Sequence, residues 1–166
     1  MGWRMIYKPI FTADNAAAVP TIAQKFRIQV GEDSKILAGL AAGIIFYGNP
    51  AFDLVKMEVW TDKGGSPGRL LATSITEYRK ADLLTLGGAG NSGYSQLGFA
   101  FPRIPLKAGM YYHAVVRFTG YSGVEGSNAG WRQSYPDPQY RTGLRIESVD
   151  AGKFPFELSV NTLEAK

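Results

Sequence analysis

The chain has 166 residues, 45% apolar and only 19% charged, which excludes a disordered polypeptide and fits one domain with its own core. With no cysteine and a single histidine it excludes zinc fingers, thiol nucleophiles, disulfide scaffolds and clusters of catalytic histidines. A formal net charge of +4 arises from scattered basic residues with no run of five like charges, which describes a mildly basic solvated surface and no nucleic-acid tail.

The 20 glycines and 9 prolines, beside 9 Tyr, 9 Phe and 3 Trp, point to many turns joining aromatic-rich strands. Residues 1–20 keep no sustained period: Trp3, Met5 and Tyr7 alternate briefly before Pro9, an Ala triplet and Pro20. They are expected to form an arm or edge strand that docks on its own domain or on a neighbour, with residues 21–166 as a single β-sandwich domain. The start has no long apolar core and no Ala-x-Ala site, so no secretory leader is expected. The longest apolar run, 36–47, is interrupted by Gly39 and Gly43 and falls short of the about 20 residues of a spanning helix, so no membrane partner is expected.

From residue 23 the period becomes two. Phe26, Ile28 and Val30 alternate with Lys25, Arg27 and Gln29, which predicts a half-buried strand ended by Gly31-Glu32-Asp33-Ser34. The apolar run from 36 to 46 reads as a strand whose glycines suit a bulge or a close backbone approach. Gly48-Asn49-Pro50 turns the chain, after which Val55, Met57 and Val59 alternate with Lys56, Glu58 and Trp60. The stretch 61–69 reads as a loop, 70–79 as a strand, and Leu83-Leu84-Leu86 after Lys80-Ala81-Asp82 as the one candidate helical turn. Beyond a glycine-dense loop at 87–93, Leu97, Phe99 and Phe101 alternate in a strand expected to end at Pro102.

In the next strand, 110–119, Tyr112, Ala114, Val116 and Phe118 share one face, while Tyr111, His113, Val115 and Arg117 share the other. Residues 120–143 read as irregular, Leu144 and Ile146 as a short strand, and Phe154, Phe156, Leu158 and Val160 as the last. Eight or nine short strands with turn signals between them predict an all-β fold, an antiparallel β-sandwich. Long glycine-rich connections at 61–69, 87–94 and 120–143 make it jelly-roll-like and unlike a meander.

Several local patterns stand out. Leu54-Val55-Lys56-Met57-Glu58-Val59-Trp60-Thr61-Asp62 runs into Gly64-Gly65-Ser66-Pro67-Gly68 and Leu70-Leu71-Ala72-Thr73-Ser74. Later come Phe99-Ala100-Phe101-Pro102, Leu106-Lys107-Ala108-Gly109-Met110-Tyr111-Tyr112 and Phe154-Pro155-Phe156-Glu157-Leu158-Ser159-Val160. Over residues 26–162 the chain resembles the choice-of-anchor β-sandwich modules of bacterial surface proteins and related modules of phage virion proteins. The resemblance implies a jelly-roll-like, non-enzymatic module for display or adhesion, with no catalytic residues to transfer. With no leader or sorting tail in evidence, a protein built into a particle from the cytoplasm is the expected version.

Candidate chemistry is sparse. Gly64-Gly65-Ser66-Pro67-Gly68 lacks the Gly-Lys-Ser/Thr ending of a phosphate loop and reads as a structural turn. His113 sits among apolar neighbours and reads as a packed or interface histidine. Asp53, Glu58 and Asp62, with the later Asp137, Glu147 and Asp150, show no spacing of an opposed carboxylate pair. No Asp-x-Asp-x-Asp calcium loop with a following Glu is present, although sandwich modules often hold a structural calcium. No catalytic, cofactor or metal residue is therefore assigned, and no enzyme is expected.

The binding surface is expected at Trp131, Tyr121, Tyr135, Tyr140 and Arg132 of the long loop and at Trp3, Met5 and Tyr7 of the arm. Aromatics with Arg dominate protein interface anchors, and flat rings also stack on sugar faces. The expected function is a virion structural protein: a capsid decoration (cement) or tail-associated protein that binds neighbouring virion or capsid proteins and forms a homo-oligomer. The alternative is a carbohydrate-binding module that recognises a glycan at the extracellular or cell surface. Nucleic acid is not an expected partner, because no concentrated basic stripe accompanies the aromatics.

Overall fold

Alternation of apolar and polar residues obliges a strand to bury one face, and two sheets that share those faces satisfy it. The computed structural model describes residues 7–9, 23–47, 52–85, 93–119, 128–132, 139–141, 144–147 and 158–164. The elements are β1 (Tyr7–Pro9), β2 (Ala23–Ile28), β3 (Lys35–Tyr47), β4 (Leu54–Lys63), β5 (Ser66–Thr73) and β6 (Tyr78–Arg79). After the short helix α1 (Lys80–Thr85) come β7 (Gly93–Leu106), β8 (Tyr111–Thr119), β9 (Asn128–Arg132), β10 (Gln139–Arg141), β11 (Leu144–Glu147) and β12 (Leu158–Glu164). The expected strands are present as β2–β5, β7, β8, β11 and β12; β9 is a strand that was not expected, and β1, β6 and β10 are short additions of three, two and three residues.

Every described pairing is antiparallel. In the first sheet β3 is central, with β7 along one side and β12 and β9 in succession along the other, and β1 added outside β9. The second sheet runs β10-β11-β2-β8-β4-β5, with β6 beside the start of β4. The chain passes between sheets from β1 to β2, β2 to β3, β3 to β4, β6 to β7, β7 to β8, β8 to β9, β9 to β10 and β11 to β12, the repeated crossing of a sandwich and not of a simple meander.

Both sheets feed one core. The first contributes Leu37, Leu40, Ile44, Leu97, Phe99 and Leu158; the second contributes Phe26, Ile28, Val55, Met57, Val59, Val116 and Phe118. Phe52 meets Phe118 edge-to-face with centroids 5.0 Å apart, and Tyr78 meets Phe99 likewise at 5.4 Å.

Three segments differ from the expectation, each for a local reason. Residues 61–69 are no loop: β4 continues to Lys63, Gly64 and Gly65 form a two-residue turn, and β5 returns from Ser66. Their φ values of 62° and 89° are those of a primed turn, whose twist matches the flanking strands. Pro67 therefore lies in an edge strand, and Gly68 and Arg69 together face Thr61 in a bulge. A Cβ on Gly68 would come within 2.9 Å of the Lys63 Cβ, so only glycine fits.

Pro102 does not end its strand. β7 runs through Pro102 and Pro105 to Leu106, and residues 101–103 oppose Ala38 alone where the register shifts. Proline is tolerated there because among the described strands β7 pairs only with β3, leaving its other edge outside a β-ladder. The irregular stretch 120–143 contains β9 and β10, one in each sheet.

The expected bulge in β3 is present: pairing with β12 steps from Asn161↔Gly39 to Thr162↔Leu37, leaving Ala38 as the extra residue. The helical turn at 80–85 is present as α1, started by the Asp82 carboxylate accepting from the Arg79 amide at 3.1 Å. Among the described residues no helix is long and apolar enough to cross a membrane.

Candidate functional site

The chemistry-bearing side chains gather on the outward face of the second sheet. Alternation sends Phe26, Val59 and Tyr112 to the core and Arg27, Trp60 and His113 to the other side. Antiparallel register then lines outward residues up across the strands. One row reads Arg27, Tyr111; the next reads Lys25, His113, Trp60; a third reads Ala23, Val115, Glu58, Thr73. β8, in the middle of the sheet, is buried on both faces from Tyr112 to Val116, so this side is a packed polar layer.

Glu58 lies at its centre and is 7% exposed. Arg117 donates to it through Nε to Oε1 at 2.6 Å and through Nη2 to Oε2 at 3.1 Å, a bidentate clamp. Trp60 Nε1 donates to the same Oε2 at 2.8 Å. Lys56, opposite Arg117 in the ladder, turns instead to Glu77 at 3.1 Å, so two like charges side by side each have their own carboxylate.

His113 is fully buried, and its Nε2 lies 2.6 Å from Asp62 Oδ1. Burial holds the imidazole below its ordinary value of 6.5, against the opposing pull of the Asp62 carboxylate, and Lys25 lowers it further. Burial by itself would raise the Asp62 carboxyl. Hydrogen bonds from His113 and from the Gly65 amide, with the charge of Lys25, carry it below its ordinary 3.8 instead.

The neutral imidazole therefore donates from Nε2 to an ionised Asp62, which leaves Nδ1 as a bare acceptor without a partner among the described residues. Protonation would turn that atom into a buried N–H with nothing to bond, which explains the direction of the shift. Such a dyad has the composition of a general base with its orienting carboxylate, but the imidazole has no surface to offer a substrate.

Toward β11 the layer becomes basic. The Arg27 guanidinium lies 4.8 Å from the centroid of the Tyr111 ring and Lys25 Nζ 4.7 Å from it. Arg27 Nε is buried and has no acceptor among the described residues.

The expected binding residues fall in several places. Tyr7 on β1 stands opposite Arg132 of β9, and Trp131 stands between Lys8 and Ile44, so these join one edge of the first sheet. Tyr140, on β10, stands opposite Arg145 at the edge of the second sheet. Trp3, Met5, Tyr121 and Tyr135 lie outside the described residues.

Sequence reasoning weighed His113, Glu58 and Asp62 singly and did not single out Lys25, Arg27, Tyr111 and Arg117. The available signal was their shared parity on three alternating strands. Among the described residues no group of three or more His, Asp or Glu side chains could hold a metal ion. The fold and this layer define an all-β sandwich protein with a self-paired polar face. Comparison with family models, curated proteins and solved structures finds no match for the chain.

Proposed function

We propose that the chain is a non-enzymatic structural and interaction protein of a phage particle, a capsid decoration or tail-associated component that works by contact with neighbouring subunits and further copies of itself. The observation that carries this reading is the state of the reactive groups on the polar face. His113 is sealed against Asp62, and Glu58 is clamped by Arg117 and Trp60, so these groups hold the sheet together and offer nothing to a substrate. The segments that carry the resemblance to virion and surface modules support it too: 54–62, 64–68, 70–74, 99–102 and 106–112 are all parts of the same two-sheet sandwich. The edge where β1 meets β9, with Tyr7, Trp131 and Arg132, is the proposed contact with neighbours.

The test combines light scattering of the purified chain with a glycan array and with recovery of tagged chain in purified particles. Self-association or particle incorporation without a glycan signal is the expected result, and deletion of residues 1–10 should reduce it. Specific sugar binding by a monomer would replace this reading with a carbohydrate-binding module at a cell surface. Unchanged incorporation of the truncated chain would remove the arm from the contact.

A further inference from the structure

The end of the sandwich where β2 and β12 finish and β3 and β8 begin carries an apolar patch outside the polar layer. Two tight turns build it. In residues 29–32 the Glu32 amide donates to the Gln29 carbonyl at 3.2 Å, and in 107–110 the Met110 amide donates to the Lys107 carbonyl at 3.3 Å. Each turn has glycine third, Gly31 at φ 92° and Gly109 at φ 81°, the positive angle that a type II turn requires there. The turns are tied together: the Gly109 amide donates to the Ile28 carbonyl at 2.8 Å and the Ala108 amide to Ser34 Oγ at 3.3 Å. A side chain on Gly109 would begin 3.3 Å from Val30 Cγ2, so the valine of the first turn lies over the second.

Turns favour glycine and polar residues, yet Val30 is 75% exposed here and Met110 47%. Leu163, at 44%, stands opposite Ile36 at the start of β3, and the exposed Pro105 stands on the other side of Ile36. Three of the five exposed large apolar side chains among the described residues therefore share one end of the fold, unlike the single scatter of an ordinary surface. Charges of both signs border them. Glu32 and Asp33 are exposed on the first connection, Lys107 on the second, and Lys63 at the end of β4, on the far side of β8 from β2. Among the described residues none of these four forms an ion pair.

We infer that this end is a contact between two copies of the chain, related by a twofold axis beside Val30 and Met110. Charge decides the occupant. A partner of one sign would be repelled by half of the border, whereas a copy turned by half a rotation lays its Glu32 and Asp33 against the lysines of the other. The apolar side chains of both copies leave water together between those charges. The patch is small for an isolated dimer, so the contact is weak between free chains and gains strength where neighbours are held side by side. The inference rests on the interaction reading above and names a surface for self-contact separate from the β1–β9 edge.

The full chain, isotope-labelled at its methionine methyls, is diluted from millimolar to micromolar concentration and followed by NMR and sedimentation equilibrium. The expected result is a saturable shift of the Met110 methyl while that of the buried Met57 stays constant. Val30→Ser with Met110→Ser should weaken association about tenfold or more in sedimentation. Glu32→Lys with Asp33→Lys should abolish it, as should Lys63→Glu with Lys107→Glu. An equal mixture of those two charge variants should restore it, because opposite signs again face each other. A Met110 signal constant across the range overturns the contact, as does association untouched by the Val30 and Met110 substitutions. A mixture no better than its components overturns the second-copy assignment, as does a Met110 shift seen only when other particle proteins are added. If Met110 stays constant while tagged chain still enters particles, this contact is wrong and the interaction reading stands.

Discussion

Glu58 and Arg117 illustrate how a buried charge is tolerated on a sheet. Each is half of a bidentate pair, and the third acceptor position of the carboxylate is taken by Trp60. Removing only the cation leaves the buried carboxylate with Trp60 as its one described side-chain donor and without a balancing charge. Arg117→Leu should therefore cost about 3 kcal/mol in urea unfolding, while Arg117→Leu with Glu58→Leu should recover most of that loss. A double variant as unstable as the single one would show that the pair's geometry, and not the stranded charge, sets the cost.

His113 gives a prediction in pH. Its folded value lies below 6.5, so the unfolded chain binds more protons in that window, and stability is complete above pH 6.5 and declines as pH falls through it. Asp62 adds its own loss only below pH 3.8, because its folded value is also depressed. As the chain's single histidine, His113 is the side chain whose ordinary value lies nearest neutrality. The urea midpoint should fall between pH 7 and pH 5 in the native chain and stay flatter in His113→Gln. A native midpoint constant over that range would contradict the account of Nδ1.

At the scale of elements, β7 shows how an open sheet edge is managed. The chain after β5 lies along it: the Ile75 amide donates to the Ala100 carbonyl at 2.8 Å and the Ala100 amide to Thr76 Oγ1 at 2.9 Å. Tyr78 Oη donates to the Gly98 carbonyl at 2.6 Å. With Pro102 and Pro105 further along, few groups on that edge are left to recruit a foreign strand. Thr76→Val with Tyr78→Phe should speed hydrogen exchange at Ala100 about tenfold and promote association through this edge. Exchange unchanged in the double variant would mean the edge is protected by other contacts.

This element also marks where sequence reading stops. Alternation located β2, β4 and β8 because each has one face in the core, and the period alone reports that. It ended β7 at Pro102, since the tolerance of proline depends on which strand lies outermost, a property of the whole sheet. It read 61–69 as a loop from its composition, whereas Gly64 and Gly65 suffice for the turn and the third glycine, Gly68, serves a bulge in β5. The polar layer was legible only as parity: that Asp62 meets His113, 51 positions away, follows from a register no local pattern encodes.

For the whole molecule, the decisive fact is that both sheets fill the same interior. Leu40 of the first sheet and Phe118 of the second are both fully buried in it. Leu40→Ala should cost about 2–5 kcal/mol and Phe118→Ala about 3–5 kcal/mol. Either should lower one common calorimetric transition, by about 2–4 °C per kcal/mol for a chain of this size. Two separated transitions in either variant would mean that the sheets melt independently.

The turn at Gly64 and Gly65 extends into open space, with no atom within 4 Å of where either side chain would begin. Yet its Gly65 amide reaches back to Asp62 Oδ2 at 3.3 Å, and the other oxygen of that carboxylate holds the imidazole. A peptide grafted at this tip would tug on a tether ending at the chain's lone histidine. The proton resonance of that ring would then act as a built-in gauge of whatever load the tip carries.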